Sequence, residues 1–163
     1  MKYTPEAGFP YYFDFVKNMN CQSIFSSSST ITFLNSISEE KAMYRYEPAK
    51  WSIKQVLGHL IDHERIMTFR AFLMSRNESV ELWGYDQLFL IENSRFDALT
   101  LKELITDFVN VRRASVSFIE GLSEKQLNIK GMARQYEVTL EEFLKSIIGH
   151  EQHHINILKE RYF

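Results

Sequence analysis

Three stretches of this chain carry their own helix-start signals. Ser52-x-x-Gln55, Thr100-x-x-Glu103 and Thr139-x-x-Glu142 each set a hydroxyl residue three positions ahead of a Gln or Glu, just before an apolar run. In that arrangement the hydroxyl accepts the third backbone N–H, and the longer side chain reaches back to the N–H of the cap. Two of the orphan donors of a helix start are then satisfied locally. Proline would interrupt the downstream runs, but Pro5, Pro10 and Pro48 all precede them. The pattern predicts helices from Ser52 to Met74, from Thr100 to a stop at Gly121, and from Thr139 to near the C-terminus.

Upstream, Tyr12, Phe15, Val16 and Met19, then Phe33, Leu34 and Ile37, recur at helical spacing, with Ser23, Ser26, Ser27 and Thr30 on the same stripe between them. One long N-terminal helix with a weak middle is expected, and the serine run 26–29 is where it would break. The segment Glu81 to Leu99, with Trp83, Gly84, Tyr85 and Asp86, keeps neither strand alternation nor a lasting helical stripe and is expected to be a long aromatic connection. Ser123 to Tyr136 is expected to hold one helical turn and a loop, and no segment has a strand pattern. These elements predict an all-α fold, a four-helix bundle with a long connection between helices 2 and 3, as one domain over residues 1–163.

Composition narrows the function. With 45% hydrophobic, 25% charged and 14% aromatic residues the chain is no disordered segment, and its net charge of −2 offers no basic stripe for a phosphate backbone, so no nucleic-acid partner is expected. Cys21 is the one cysteine, which excludes an intramolecular disulfide and a Cys-rich metal site. A lone cysteine on an apolar helix face, with no cation near it in sequence, is expected to be inert. No basic leader or long apolar run is present, so a cytoplasmic protein without membrane contact is expected.

All five histidines fall in two windows: His59 and His63 in one, His150, His153 and His154 in the other. Residues i and i+4 share a helix face, so His150 and His154 can aim two imidazoles at one ion, and His59 and His63 have the same spacing. At 100° per residue from Leu140, His150 and His154 lie at about 280° and about 320°, inside the stripe of Phe143, Ile147 and Leu158. His153, at about 220°, falls at its edge. The other helix is apolar on most sides, and its periodicity does not choose between His59 and His63.

His150-Glu151-Gln152-His153-His154 also fits the H-E-x-x-H pattern of zinc proteases. Nine residues lie beyond His154, so no downstream helix is expected to bring a third ligand, and no strand is expected to pair with a peptide. A protease reading is set aside.

Three blocks together resemble the DinB family of metal-dependent enzymes: Trp51 to Leu60 (WSIKQVLGHL), Trp83-Gly84-Tyr85-Asp86-Gln87, and Gly149-His150-Glu151-Gln152-His153-His154 with the closing Glu160-Arg161-Tyr162. The resemblance covers nearly the whole chain. It implies a four-helix bundle, often a homodimer, and a metal triad of His59, His150 and His154. It also implies thiol-dependent chemistry, the transfer of a low-molecular-weight thiol to an electrophile. Three imidazoles leave coordination positions open, as catalytic ions require. Zinc or nickel suits nitrogen donors best, with iron or manganese as further divalent ions.

Around this triad His63, Glu64, Asp62 and His153 are candidates for orienting a ligand or accepting a proton, and Trp83 and Tyr85 for closing a pocket. Arg70 and the pair Arg112-Arg113 offer anion binding, with surface ion pairing as the plainer role. Two functions are compatible with these residues: a metal-dependent transferase or hydrolase acting on a small molecule, or a non-catalytic bundle that holds a metal or ligand.

Overall fold

The computed structural model describes residues 3–77 and 84–163. Its long helices are α5 (Ile53–Ser75), α7 (Leu101–Glu120) and α9 (Leu140–Arg161). All three start on the expected capping boxes: Ser52, Thr100 and Thr139 accept from the backbone of Gln55, Glu103 and Glu142, whose side chains return the bond. α5 packs against both α7 and α9.

The expected N-terminal helix is four short ones, α1 (Phe9–Asp14), α2 (Cys21–Phe25), α3 (Ser29–Asn35) and α4 (Glu39–Ala42). Two of the breaks have a local cause. Asn20 and Ser38 stand in extended backbone and accept from Ser23 and Lys41, so their side chains start new helices where one helix would have continued. Of the predicted stripe, Val16, Thr30, Leu34 and Ile37 are buried, but Met19, Ser23, Ser26 and Ser27 are exposed, and Ile24 and Phe25 face the core in the middle segment instead. The segments α1 to α3 thus take the fourth place of the bundle, α1 on α9, α2 between α7 and α9, and α3 on α7.

The connection between α5 and α7 carries a short helix, α6 (Gln87–Glu92), capped by the Asp86 carboxylate, and a 3-10 turn at Phe96–Ala98. Trp83 lies outside the described residues. After α7, α8 (Glu124–Leu127) is the expected helical turn, but the chain then forms an antiparallel hairpin of β1 (Lys130–Ala133) and β2 (Tyr136–Thr139), Lys130 pairing with Thr139 and Ala133 with Tyr136. The sequence pattern does not announce it because the two-residue turn is Arg134-Gln135, without the Asn-Gly or Gly-Gly that signals a tight hairpin. Among the described residues no helix is long and apolar enough to cross a membrane.

Two apolar clusters form the core. One gathers Leu34, Ile53, Leu57, Ile61, Phe108 and Leu158, the other Val16, Phe25, Ala71, Ile119, Leu144 and Ile147. Each long helix passes from one cluster to the other through buried polar residues: Glu64 on α5, Arg112 on α7, His150 and Glu151 on α9. The bundle therefore has a polar waist.

Candidate metal centre

His59 and His150 are nearly fully buried in this waist, 2% and 4% exposed, and His154 sits half-buried beside them. The Nε2 atoms of His59 and His150 are 3.1 Å apart, those of His154 and His150 3.2 Å, and one ring nitrogen from each of the three lies within 4.8 Å of the others. His63 is placed differently. Its ring stacks face to face on that of His150, centroids 3.7 Å apart, and its Nδ1 is 2.5 Å from the Tyr85 hydroxyl.

Local packing holds these rings. A glycine precedes both His59 and His150, and each gives clearance to a neighbour: a Cβ on Gly58 would come 2.2 Å from the Phe96 ring, and one on Gly149 would come 1.9 Å from the Tyr12 carbonyl oxygen. α1 can therefore lie directly on α9, which sets Tyr12 edge-on against His150, while Trp51 packs against His59. The Tyr162 hydroxyl donates to the Trp51 carbonyl and fixes that end.

Burial removes the protons. It pushes His59 down to about 3, with His63 adding to the shift, and His63 likewise to about 3. His150 and His154 are driven well below the ordinary imidazole range, again by burial first and by neighbouring histidines second. All four rings are neutral at pH 7, as metal ligands must be.

A neutral imidazole has one N–H, so His150 Nε2 cannot donate to both of its neighbours. His150 Nδ1 is buried with no hydrogen-bond partner among the described residues. Such crowding of nitrogen donors is costly unless something accepts their lone pairs. In tetrahedral zinc sites with Zn–N near 2.0–2.1 Å, ligand nitrogens stand about 3.4 Å apart, close to the 3.1 and 3.2 Å that separate His150 Nε2 from the other two rings. The three donors fit a divalent ion in number, protonation state and separation.

Below the histidines lies a buried ion network. The Arg112 guanidinium donates through Nε and Nη2 to Glu64 at 2.8–3.2 Å and through Nη2 to Glu151, and Glu151 also accepts from the Thr30 hydroxyl at 2.5 Å. Burial alone would lower Arg112, but the carboxylates of Glu151 and Glu64 outweigh it and hold the guanidinium above its ordinary value. The Phe25 and Phe108 rings flank it. The expected surface role for Arg112 is thus corrected, and Glu64 orients an arginine instead of a ligand ring. A charged residue one turn after Phe108 on the inward stripe of α7 was the signal available in the sequence.

Other candidates stand apart from the triad. His153 is half-buried at the edge and bonds the Tyr11 hydroxyl at 3.0 Å. The carboxylate of Asp62 faces Arg65, and Arg113 is exposed. Cys21 is buried with its thiol pushed up to about 11 by desolvation, which leaves it inert at neutral pH.

A cavity of about 800 Å³ opens beside the histidines, between α1, α5, α9, the hairpin and the start of α6, with His63, His150, Tyr12 and Tyr85 in its wall. A second groove of about 540 Å³, between α5 and α7 at Phe69, Phe72 and Phe118, is lined by no histidine among the described residues.

The family model described as the DinB superfamily matches residues 26–158. The chain belongs to the DinB superfamily. Among solved structures it is similar to YfiT from Bacillus subtilis, described as a probable metal-dependent hydrolase with an unusual four-helix bundle topology. That match has a TM-score of 0.69 and 15% identity, covering 98% of this chain and 89% of the other. At that identity the likeness shows the fold, which is the expected four-helix bundle. Comparison with curated proteins gave no match.

Proposed function

We propose that this DinB-superfamily protein is a metal-dependent enzyme that binds one divalent ion through His59, His150 and His154 and acts on a small molecule in the adjoining cavity. The observation that carries this reading is the convergence of three neutral ring nitrogens beside an open cavity. Nitrogen donors favour zinc or nickel, then iron or manganese. An ion held by three protein ligands supplies Lewis acidity to an incoming water or thiol.

The chain's own residues do the rest. Tyr12 and Trp51 keep bulk water from the ligand rings, and His63, joined to Tyr85, presents a polar edge to the cavity. Burial pushes the Tyr85 phenol up to about 12, so it stays protonated at neutral pH and can donate to a substrate oxygen or to His63. The buried Glu64–Arg112–Glu151 network fixes α5, α7 and α9 in the register that brings the histidines together.

Two reactions suit such a site, hydrolysis of an ester or amide and addition of a thiol to an electrophile. The test is elemental analysis of untagged protein, then turnover assays on both substrate panels with and without metal. About one ion per chain and metal-dependent turnover are expected. Metal without turnover would leave a binding protein, and full metal retention in the His150→Ala, His154→Ala double variant would overturn the site.

A further inference from the structure

The cavity wall holds an imidazole that is outside the triad. His63 lines it from α5, and the face of its ring lies on that of His150, centroids 3.7 Å apart. Its two nitrogens have different surroundings. Nδ1 is 2.5 Å from the Tyr85 hydroxyl, whereas Nε2 has no hydrogen-bond partner among the described residues. Nε2 is also not sealed in, because among the described side chains His150 Nδ1 alone is both fully buried and partnerless.

The position of the His63 proton follows from the Tyr85 side of that bond. A neutral imidazole offers one donor and one acceptor, and the hydrogen bond made by one nitrogen decides which is which. Burial keeps both partners neutral at pH 7, with His63 pushed down to about 3 and the Tyr85 phenol up to about 12. The phenol therefore has a proton to place, and His63 Nδ1 is the one hydrogen-bond partner of its oxygen among the described residues. A proton on Nδ1 would force the phenol to turn its own away from that partner, at the cost of an unmade hydrogen bond. Tyr85 donates, Nδ1 accepts, and the His63 proton stands on Nε2.

The phenol is tied to α5 at two points. Besides its bond to His63 it lies against Arg70, two helical turns further on, whose guanidinium carbon is 5.9 Å from the ring centroid. Other polar side chains of the wall are engaged. Asp86 accepts from the backbone of Leu88 and Phe89, and Ser146 donates to the Phe143 carbonyl. Arg134, at φ 55° in the left-handed region, lies over Gly8 and donates to the Glu6 carbonyl at 3.3 Å.

We propose that His63 binds the substrate directly, its Nε2–H donating to a carbonyl or acid oxygen of the molecule in the cavity, and that Tyr85 is the positioning residue that fixes the proton on that nitrogen. The inference deepens the proposed function and rests on it for the presence of a substrate in this cavity. Esters, amides, acids and carbonyl electrophiles meet the requirement. A molecule whose polar end carries only N–H donors does not, since it would set donor against donor.

Heteronuclear NMR of zinc-free protein labelled at the histidine ring nitrogens tests this, with His63→Leu assigning the His63 signals. His63 should show the Nε2–H form at neutral pH, and Tyr85→Phe, which keeps the ring but removes the donor, should shift it toward the Nδ1–H form. Benzoate or acetophenone at millimolar concentration should move the Nε2 signal, and benzylammonium should not. Benzoate alone marks an acid oxygen, and acetophenone alone a carbonyl. His63→Leu should weaken binding of the active probe about tenfold or more, with partial recovery in His63→Gln, which restores an N–H. An Nδ1–H form in the parent, a tautomer unchanged by Tyr85→Phe, no response to either oxygen probe, or an equal response to benzylammonium would overturn the proposal. Elemental analysis of zinc-loaded His63→Leu should still give about one ion per chain, and loss of the ion would make His63 a ligand instead. The spectra are read without metal, so failure of the triad and failure of the His63 contact are distinguishable.

Discussion

His59 and His150, 91 residues apart in the sequence, bring their Nε2 atoms to 3.1 Å with both rings buried and neutral. Two such nitrogens share at most one proton, and His154 adds a third at 3.2 Å from His150. Ala in place of any one of the three should lower the bound metal from about one per chain to a small fraction at micromolar free metal. Elemental analysis after gel filtration checks this. Retention in all three single variants would contradict the triad.

Acid should destabilise the metal-free protein. The His59 pKa falls from 6.5 unfolded to about 3 folded, so between those values the unfolded chain binds a proton that the folded chain refuses. Stability contributed by the neutral ring is complete above pH 6.5 and declines as pH falls toward 3, at up to about 1.4 kcal/mol per pH unit for each such imidazole. Urea midpoints of metal-free protein should therefore drop between pH 7.5 and pH 5. A flat profile would show that these rings are not held neutral.

Arg112→Met should be among the most destabilising single changes. It would leave Glu64 and Glu151 buried together without their cation, at a cost of about 3–5 kcal/mol. Chemical denaturation measures it directly. Adding Glu64→Gln and Glu151→Gln to the same chain should recover part of the loss, because the uncompensated charges are then gone.

Gly149→Ala should weaken both fold and site. Its methyl group would meet the Tyr12 carbonyl at 1.9 Å, which α1 can relieve only by lifting off α9, so a loss of about 1–3 kcal/mol or more is expected together with weaker metal binding. Gly121→Ala is the control, since the nearest atom to its Cβ would be 3.5 Å away. That change should stay within about 0.5 kcal/mol of the parent. Equal effects from the two substitutions would remove the close-approach argument.

The bundle and much of the site are legible in the sequence because both depend on local chemistry. Capping boxes are satisfied within three residues, and the His150–His154 spacing is a property of one helix. The choice of His59 over His63 is different. Both lie on the same helix, and only the approach of α9 separates the ring that meets His150 Nε2 from the ring that stacks on its face. The breaks before α2 and α4 rest on Asn20 and Ser38 winning their backbone N–H groups, a contest that stripe spacing does not register. The settings of Arg112 and Arg134 are hidden for a shared reason. A buried guanidinium and a left-handed arginine both go against residue preference, and what holds each in place is distant in sequence: Glu151 and Glu64 for one, Gly8 and Glu6 for the other.

The two glycines that precede His59 and His150 let Phe96 and the α1 backbone press on the histidine-bearing helices from outside. The backbone of α9 at His150 is thereby held by tight shape, and among the described residues no hydrogen bond reaches the ring's Nδ1. A receptor made this way is rigid before its cation arrives. Ions of differing size should then exchange in and out of a standing framework, and discrimination among them falls to ring geometry more than to any rearrangement of the chain.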